Sequence, residues 1–121
     1  MHPFPGKAQT DRLLLGDPVL TQIVVNPYGL SLVLDNQCQV ICEEALTYVG
    51  ADSPAHRYNE PWRNEAPITF HRLLEKRLIA VERGDLDLTL RFESGGALII
   101  HSALGPYESG QIYIGRDMFI F

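Results

Sequence analysis

Two stretches of period-two hydrophobicity, set at a constant offset of 58 residues (30 to 88, 40 to 98), constrain this chain more than any other feature. Leu30-Ser-Leu-Val-Leu-Asp-Asn lies over Leu88-Thr-Leu-Arg-Phe-Glu-Ser, Val40-Ile41 over Leu98-Ile99, Ala45-Leu46 over Ala103-Leu104, and Leu20 over Leu78. Strict alternation is the signature of a half-buried strand. In the first half, Val19 to Val25 is a β-branched run stopped by Asn26-Pro27-Tyr28-Gly29. Leu30 to Leu34 alternates, Asp35-Asn36-Gln37 is turn chemistry, and Cys38 to Cys42 makes a third strand. In the second half, Leu78 to Glu82 runs to Gly84-Asp85. Leu86 to Phe92 then alternates with Leu86, Leu88, Leu90 and Phe92 on one face, and Ser94-Gly95-Gly96 turns into Ala97 to Ile100. Gln111 to Ile114 and Met118 to Phe121 are two short further strands joined at Gly115-Arg116-Asp117.

Connections this short cannot make parallel crossovers, so each half reads as an antiparallel meander. A three-stranded meander does not bury its apolar face alone, whereas two copies can cover each other. The expected fold is mainly β (α+β): two pseudo-repeated antiparallel β-meanders forming a small sandwich or half-open barrel, with one short helix around 66–76. The length suits a single domain, here residues 12–121, with half one at 13–50, a loop at 51–65 and half two at 66–121. Residues 1–11, with Pro3, Pro5 and Gly6, read as a flexible arm. Pro54, Pro61 and Pro67 break regular structure through 51–67, and loops of that length tend to be functional or disordered. Asn64 is a candidate helix cap, after which Ala66, Phe70, Leu73, Leu74 and Arg77 follow helical spacing.

Ten Lys and Arg against fifteen Asp and Glu leave a net charge of −5. That balance argues against a nucleic-acid partner, which needs a basic stripe. No apolar run approaches the 18 residues of a membrane span. The first residues also lack the basic start and apolar run of a secretory signal, so a cytoplasmic location is expected. Cys38 and Cys42 fit that compartment. Four residues of strand span about 13 Å, and a disulfide needs Cα atoms within about 7 Å.

No catalytic or metal-ligand signature is present. His2, His56, His71 and His101 are scattered without ligand spacing, so no catalytic residue, metal or cofactor is assigned. Two candidate constellations remain. Glu43 and His101 hold equivalent places in the repeat, and with Tyr107 and Glu108 they form a candidate polar cluster in which His101 or Glu108 is available for proton transfer. The plainer reading is that these residues satisfy loop amides or face solvent. Tyr58 and Trp62, with Arg57 and Arg63, are of the types that dominate binding hot spots and form a candidate partner-binding loop. The plainer reading there is that the aromatics fold back onto the core. Arg72, Lys76 and Arg77 read as the wet face and C-terminal charge complement of the helix.

Leu15-Gly16, the β run, Leu-x-Leu-x-Leu-Asp, Val40-Ile41-Cys42-Glu43 and Ala45-Leu46 resemble the first half of a family of small bacterial proteins known only as a domain of unknown function. Leu73-Leu74, Gly84-Asp-Leu-Asp-Leu-Thr-Leu-Arg-Phe-Glu-Ser-Gly95 and Tyr107-Glu108 are similar to its second half, so the resemblance covers residues 13–114. This chain has Gly110 where the family often has Trp, and its loop at 51–67 is unusual. The resemblance implies a compact β-rich domain without assigned chemistry, and some members look like immunity proteins that neutralise bacterial toxins.

The expected function is therefore a non-enzymatic protein-interaction module, with toxin neutralisation as its most specific form. An acidic protein of this kind can block a basic nuclease site by charge complementarity. The alternatives are a small-molecule-binding or hydrolytic β-barrel using the Glu43, His101 and Glu108 end, and a structural subunit. A homodimer through the C-terminal strand is also expected. Met118-Phe119-Ile120-Phe121 puts Phe119 and Phe121 on one side and Met118 and Ile120 on the other, and nothing after Asp117 blunts that edge. Both cysteines are expected to be reduced in the native protein. Intact-mass measurement checks this: a monomer mass two units low and restored by reductant would overturn the strand at 38–42.

Overall fold

A computed structural model of the chain describes residues 3–52, 54–59, 67–103 and 107–121. The described strands are β1 (Leu20–Asn26), β2 (Gly29–Leu34), β3 (Cys38–Cys42), β4 (Ala45–Val49), β5 (His56–Asn59), β6 (Leu78–Arg83), β7 (Asp87–Phe92), β8 (Ala97–His101), β9 (Gly110–Ile114) and β10 (Asp117–Ile120). They form two five-stranded antiparallel sheets, the first ordered β1-β2-β3-β9-β10 and the second β5-β4-β8-β7-β6. This is the small α+β sandwich expected from the alternation. Its connectivity goes further than two stacked meanders. The chain leaves the first sheet after β3, crosses at Glu43-Glu44, and supplies β4 and β5 to the second sheet; after β8 it crosses back and supplies β9 and β10 to the first.

The two halves match strand for strand. Leu20 pairs with Leu34 and Leu78 with Phe92, both hairpins slip register immediately afterwards, and Ile23 opposite Leu32 repeats as Val81 opposite Leu90. Leu32 faces Val40 as Leu90 faces Leu98. The halves touch across the pseudo-twofold itself, where Val19 bridges Arg77. There Leu20 N–H donates to Lys76 O at 3.1 Å, and Leu78 N–H donates to Pro18 O at 2.8 Å. The offset changes only after the crossings. Leu46 faces Ile100 where Gly110 faces Cys42, so the counterpart of Leu46 is Gly110 and not Leu104. The second crossing is longer by six residues.

Inward positions carry the core. Leu30, Leu32, Leu34, Val40 and Ile112 from the first sheet meet Leu46, Leu88, Leu90, Phe92, Leu98 and Ile100 from the second, all buried. Cys38 and Cys42 are unpaired thiols on the same inner face, and burial pushes the Cys42 thiol up to about 12. Tyr58 on β5 and Phe121 after β10 occupy matching places beside Leu46 and Gly110, and both are buried.

Four expectations are corrected. Residues 3–11 are not a loose arm. Phe4 is 2% exposed and stacks on Phe121 with ring centroids 4.3 Å apart. Arg83 clamps the same segment by donating to Phe4 O and Pro5 O, and α1 (Lys7–Thr10) follows directly. The stretch 51–65 is not all loop, because β5 lies within it; residues 53 and 60–66 fall outside the described residues. The helix around 66–76 is a single 3₁₀ turn at Phe70–Leu73, ended by Glu75 in the left-handed region at φ 67. β4, which pattern alone did not separate from the crossing, is a central strand of the second sheet. Among the described residues no helix is long and apolar enough to cross a membrane.

Gly110 has a steric cause. A Cβ there would lie 2.0 Å from Ile41 O and 2.5 Å from Phe121 Cζ. The missing side chain lets β9 approach β3 and lets the Phe121 ring enter. Gly110→Ala is expected to cost about 3 kcal/mol, the upper range for overpacking, read from urea unfolding. A loss under about 1 kcal/mol would show that β3 and Phe121 yield freely.

Candidate functional site

Because side chains alternate across a strand, the core-facing residues fix which ones face out. On the first sheet the outward residues are Gln22 and Val24 (β1), Ser31 and Val33 (β2), Gln39 and Ile41 (β3), Gln111 and Tyr113 (β9), and Met118 and Ile120 (β10). None is charged. Val24, Tyr113, Met118 and Ile120 are exposed large hydrophobics, Met118 and Ile120 nearly half so. The matching face of the second sheet carries Glu82, Asp87, Arg91, His101 and Arg57.

The contrast is sharpest at one cross-strand site. Arg91 Nε donates to Glu82 Oε1 at 2.5 Å and its Nη2 to Oε2 at 3.2 Å, and this guanidinium holds the Glu82 carboxyl below its ordinary range. The repeat places Val24 and Val33 at those same two positions of the first sheet. One backbone site thus accepts either an ion pair or two valines. The apolar choice on the first sheet is not imposed by the fold.

The candidate polar cluster divides. Glu43 and Glu108 come together on Gln111, whose Nε2 donates to Glu43 Oε1 at 3.4 Å and to Glu108 Oε2 at 2.8 Å. They mark one end of the uncharged face, with Glu43 held in place by its own N–H donating to Ser109 O. Tyr107 is 83% exposed nearby in sequence. His101 lies on the second sheet, where its Nε2 sits 2.8 Å from Thr47 Oγ1. Burial, and then the Arg57 charge, hold the His101 imidazole below its ordinary value, against an opposing pull from Asp87.

The candidate partner-binding set also divides. Tyr58 is core: it is 2% exposed, donates from its hydroxyl to Pro67 O at 3.1 Å, and packs edge-on against Phe70 and His56. Arg57 is exposed and donates to Asn59 Oδ1. Trp62 and Arg63 lie outside the described residues. Among the described residues no group of three His, Cys, Asp or Glu could hold a metal. Open depressions among the described residues include one of about 210 Å³ beside Tyr48, Asp52, Arg72 and Ser94, and one of about 370 Å³ beside Leu14, Asp17, Arg77 and Ile79. No family model, no curated protein and no solved structure matches the chain.

The uncharged face was open to detection in the sequence. Laying the first half over the second sets Val24 on Glu82 and Val33 on Arg91, and that loss of charge at outward positions is the signal. The His101 environment also has a consequence in solution. Its pKa is depressed in the folded protein relative to the ordinary 6.5, so neutral His101 contributes stability above that value. The contribution is lost as the pH falls through the lowered folded value, because the unfolded chain then binds more protons. Urea midpoints between pH 7 and pH 5 are expected to fall less for His101→Gln than for the parent. Equal slopes would show that the ring ionises freely in place.

Proposed function

We propose that the chain is a non-enzymatic protein-interaction module whose contact surface is the outer face of the first sheet. The observation that carries this is the Val24/Val33 site: the sheet accommodates Glu and Arg there in the other half, yet here the position is apolar, on an uncharged face whose far edge carries exposed Tyr113, Met118 and Ile120. Contiguous exposed apolar surface rimmed by polar groups is the usual mark of a protein contact. Aromatic residues and Met are enriched, and charge depleted, at the centre of such contacts.

Neutralisation of a basic toxin is the finer form of this reading. A net charge of −5 would steer the encounter, and the uncharged face would supply the desolvated contact. The hydrolytic alternative would draw on the Thr47–His101 pair. Neither depression described above includes that pair.

The test uses Val24→Glu with Val33→Arg, which copies the Glu82–Arg91 pair into the first sheet and so leaves a known folded solution for the backbone. The immobilised parent protein is expected to retain protein partners that the doubly substituted form retains at least about tenfold less well, the scale of one interfacial desolvation penalty. Thermal melting of the two forms should agree within a few degrees. Equal retention by both would remove the face from the interaction.

A further inference from the structure

We infer that the occupant of the uncharged face is a second copy of this chain, docked sheet to sheet about a twofold axis lying in the interface and running across the strands. This rests on the reading of that face as a contact surface; the charges at its two ends select the occupant, and net charge and size set how and how strongly it docks.

Each copy carries −5, so two copies repel wherever their charged surfaces meet. The outward residues of β1, β2, β3, β9 and β10 form a surface on which two copies can touch without opposing like charges.

The two ends of the face differ in charge. Glu43 and Glu108 flank Gln111 at the end where β3 finishes and β9 begins. At the opposite end the β9–β10 hairpin turns at Gly115-Arg116. Gly115 takes φ 59, as the first position of a tight primed turn requires. Arg116 at its tip is exposed and makes no ion pair among the described residues, whereas neighbouring Arg12 is held by Asp117 at 3.0 Å. An axis along the strands would set Glu43 and Glu108 against their own copies. An axis across the strands exchanges the ends, so each Arg116 faces the partner's carboxylates, and the contact forms twice. The surface is then complementary to itself, which is what an isologous dimer needs.

Five strands at about 4.8 Å spacing and about five residues each at about 3.3 Å give a footprint of about 400 Å² before side-chain relief. That places the contact at the small end of specific interfaces, where weak and reversible association is the rule. The expected dimer therefore forms in the micromolar range.

Sedimentation velocity from about 1 to about 300 μM decides it. The parent chain is expected to pass from one-chain to two-chain mass across that range. Val24→Glu with Val33→Arg should hold the one-chain mass throughout, with circular dichroism and melting unchanged. Arg116→Glu should weaken dimerisation by at least about tenfold. Adding Glu43→Arg and Glu108→Arg to Arg116→Glu should restore it, because the charges are exchanged rather than removed. A one-chain mass for the parent at every concentration overturns the second copy as occupant, and leaves the contact-surface reading to the capture comparison. A dimer that persists in the Val24→Glu, Val33→Arg form overturns this face as the dimer contact, and again leaves the contact-surface reading to the capture comparison. A dimer indifferent to Arg116→Glu overturns the axis across the strands.

Discussion

The exchange of strands between the halves is the constraint on which the rest of the molecule depends. β3 finds only β2 within its own half; its other edge is completed by β9, and the free edge of β8 by β4. A half-molecule would thus expose an unpaired strand edge together with an uncovered apolar face, two liabilities that sheets do not tolerate well. The exchange also makes the decisive pairings long-range, Val40 with Ile112 and Leu46 with Ile100 among them. Chains dominated by such contacts must close large loops before those contacts reward them, which makes for slow folding. The hydrogen bonds across the pseudo-twofold at Leu20 and Leu78 then fix the two halves at one corner.

What repeats between the halves is backbone geometry more than residue identity. Asp35 Oδ1 accepts from Val19 N–H at 3.0 Å, and Glu93 Oε1 accepts from Arg77 N–H at 3.1 Å, although one side chain is longer by a methylene. Gln37 and Gly95 both take positive φ in the equivalent turn, and so do Asp17 and Glu75. A non-glycine residue at positive φ carries a modest strain. That strain is accepted here because the turn must present β3 and β8 in one register, and the register sets which side chains reach the core.

The same logic separates what was legible in the sequence from what was not. β3 and β7 alternate cleanly because each has one face on the core, β2 and β8 were marked by their apolar runs between turn residues, and the sidedness of Met118 to Phe121 follows from the same period of two. β4 was hidden because Ala45 to Val49 follows Glu43-Glu44 without turn residues, so the crossing between sheets left no mark. β5 offers one apolar residue, Tyr58, among His56, Arg57 and Asn59, and its place is set by pairing with β4 rather than by its own pattern. Phe4 looked loose because its partner is Phe121, at the far end of the chain, in space that Gly110 leaves open. Of the candidate residues, Glu43 and Glu108 did meet, through Gln111. His101 went to the other sheet because the crossings send β3 and β8, and the residues just past them, to different layers.

The pseudo-symmetry also supplies its own control for interpreting the surface. Where both halves keep a feature, such as the apolar inner face or the turn with positive φ, the shared fold is sufficient explanation. Where they differ at matched positions, the fold has been shown to permit both states and explains neither. Val24 and Val33 against Glu82 and Arg91 are such positions, on strands that pair in the same register. Exposed apolar residues at such positions are therefore where a surface role, rather than the fold, is to be sought. In the proposed dimer the Glu43 and Glu108 end of one copy meets Arg116 of the other, a local match that works against the general repulsion between two chains of −5.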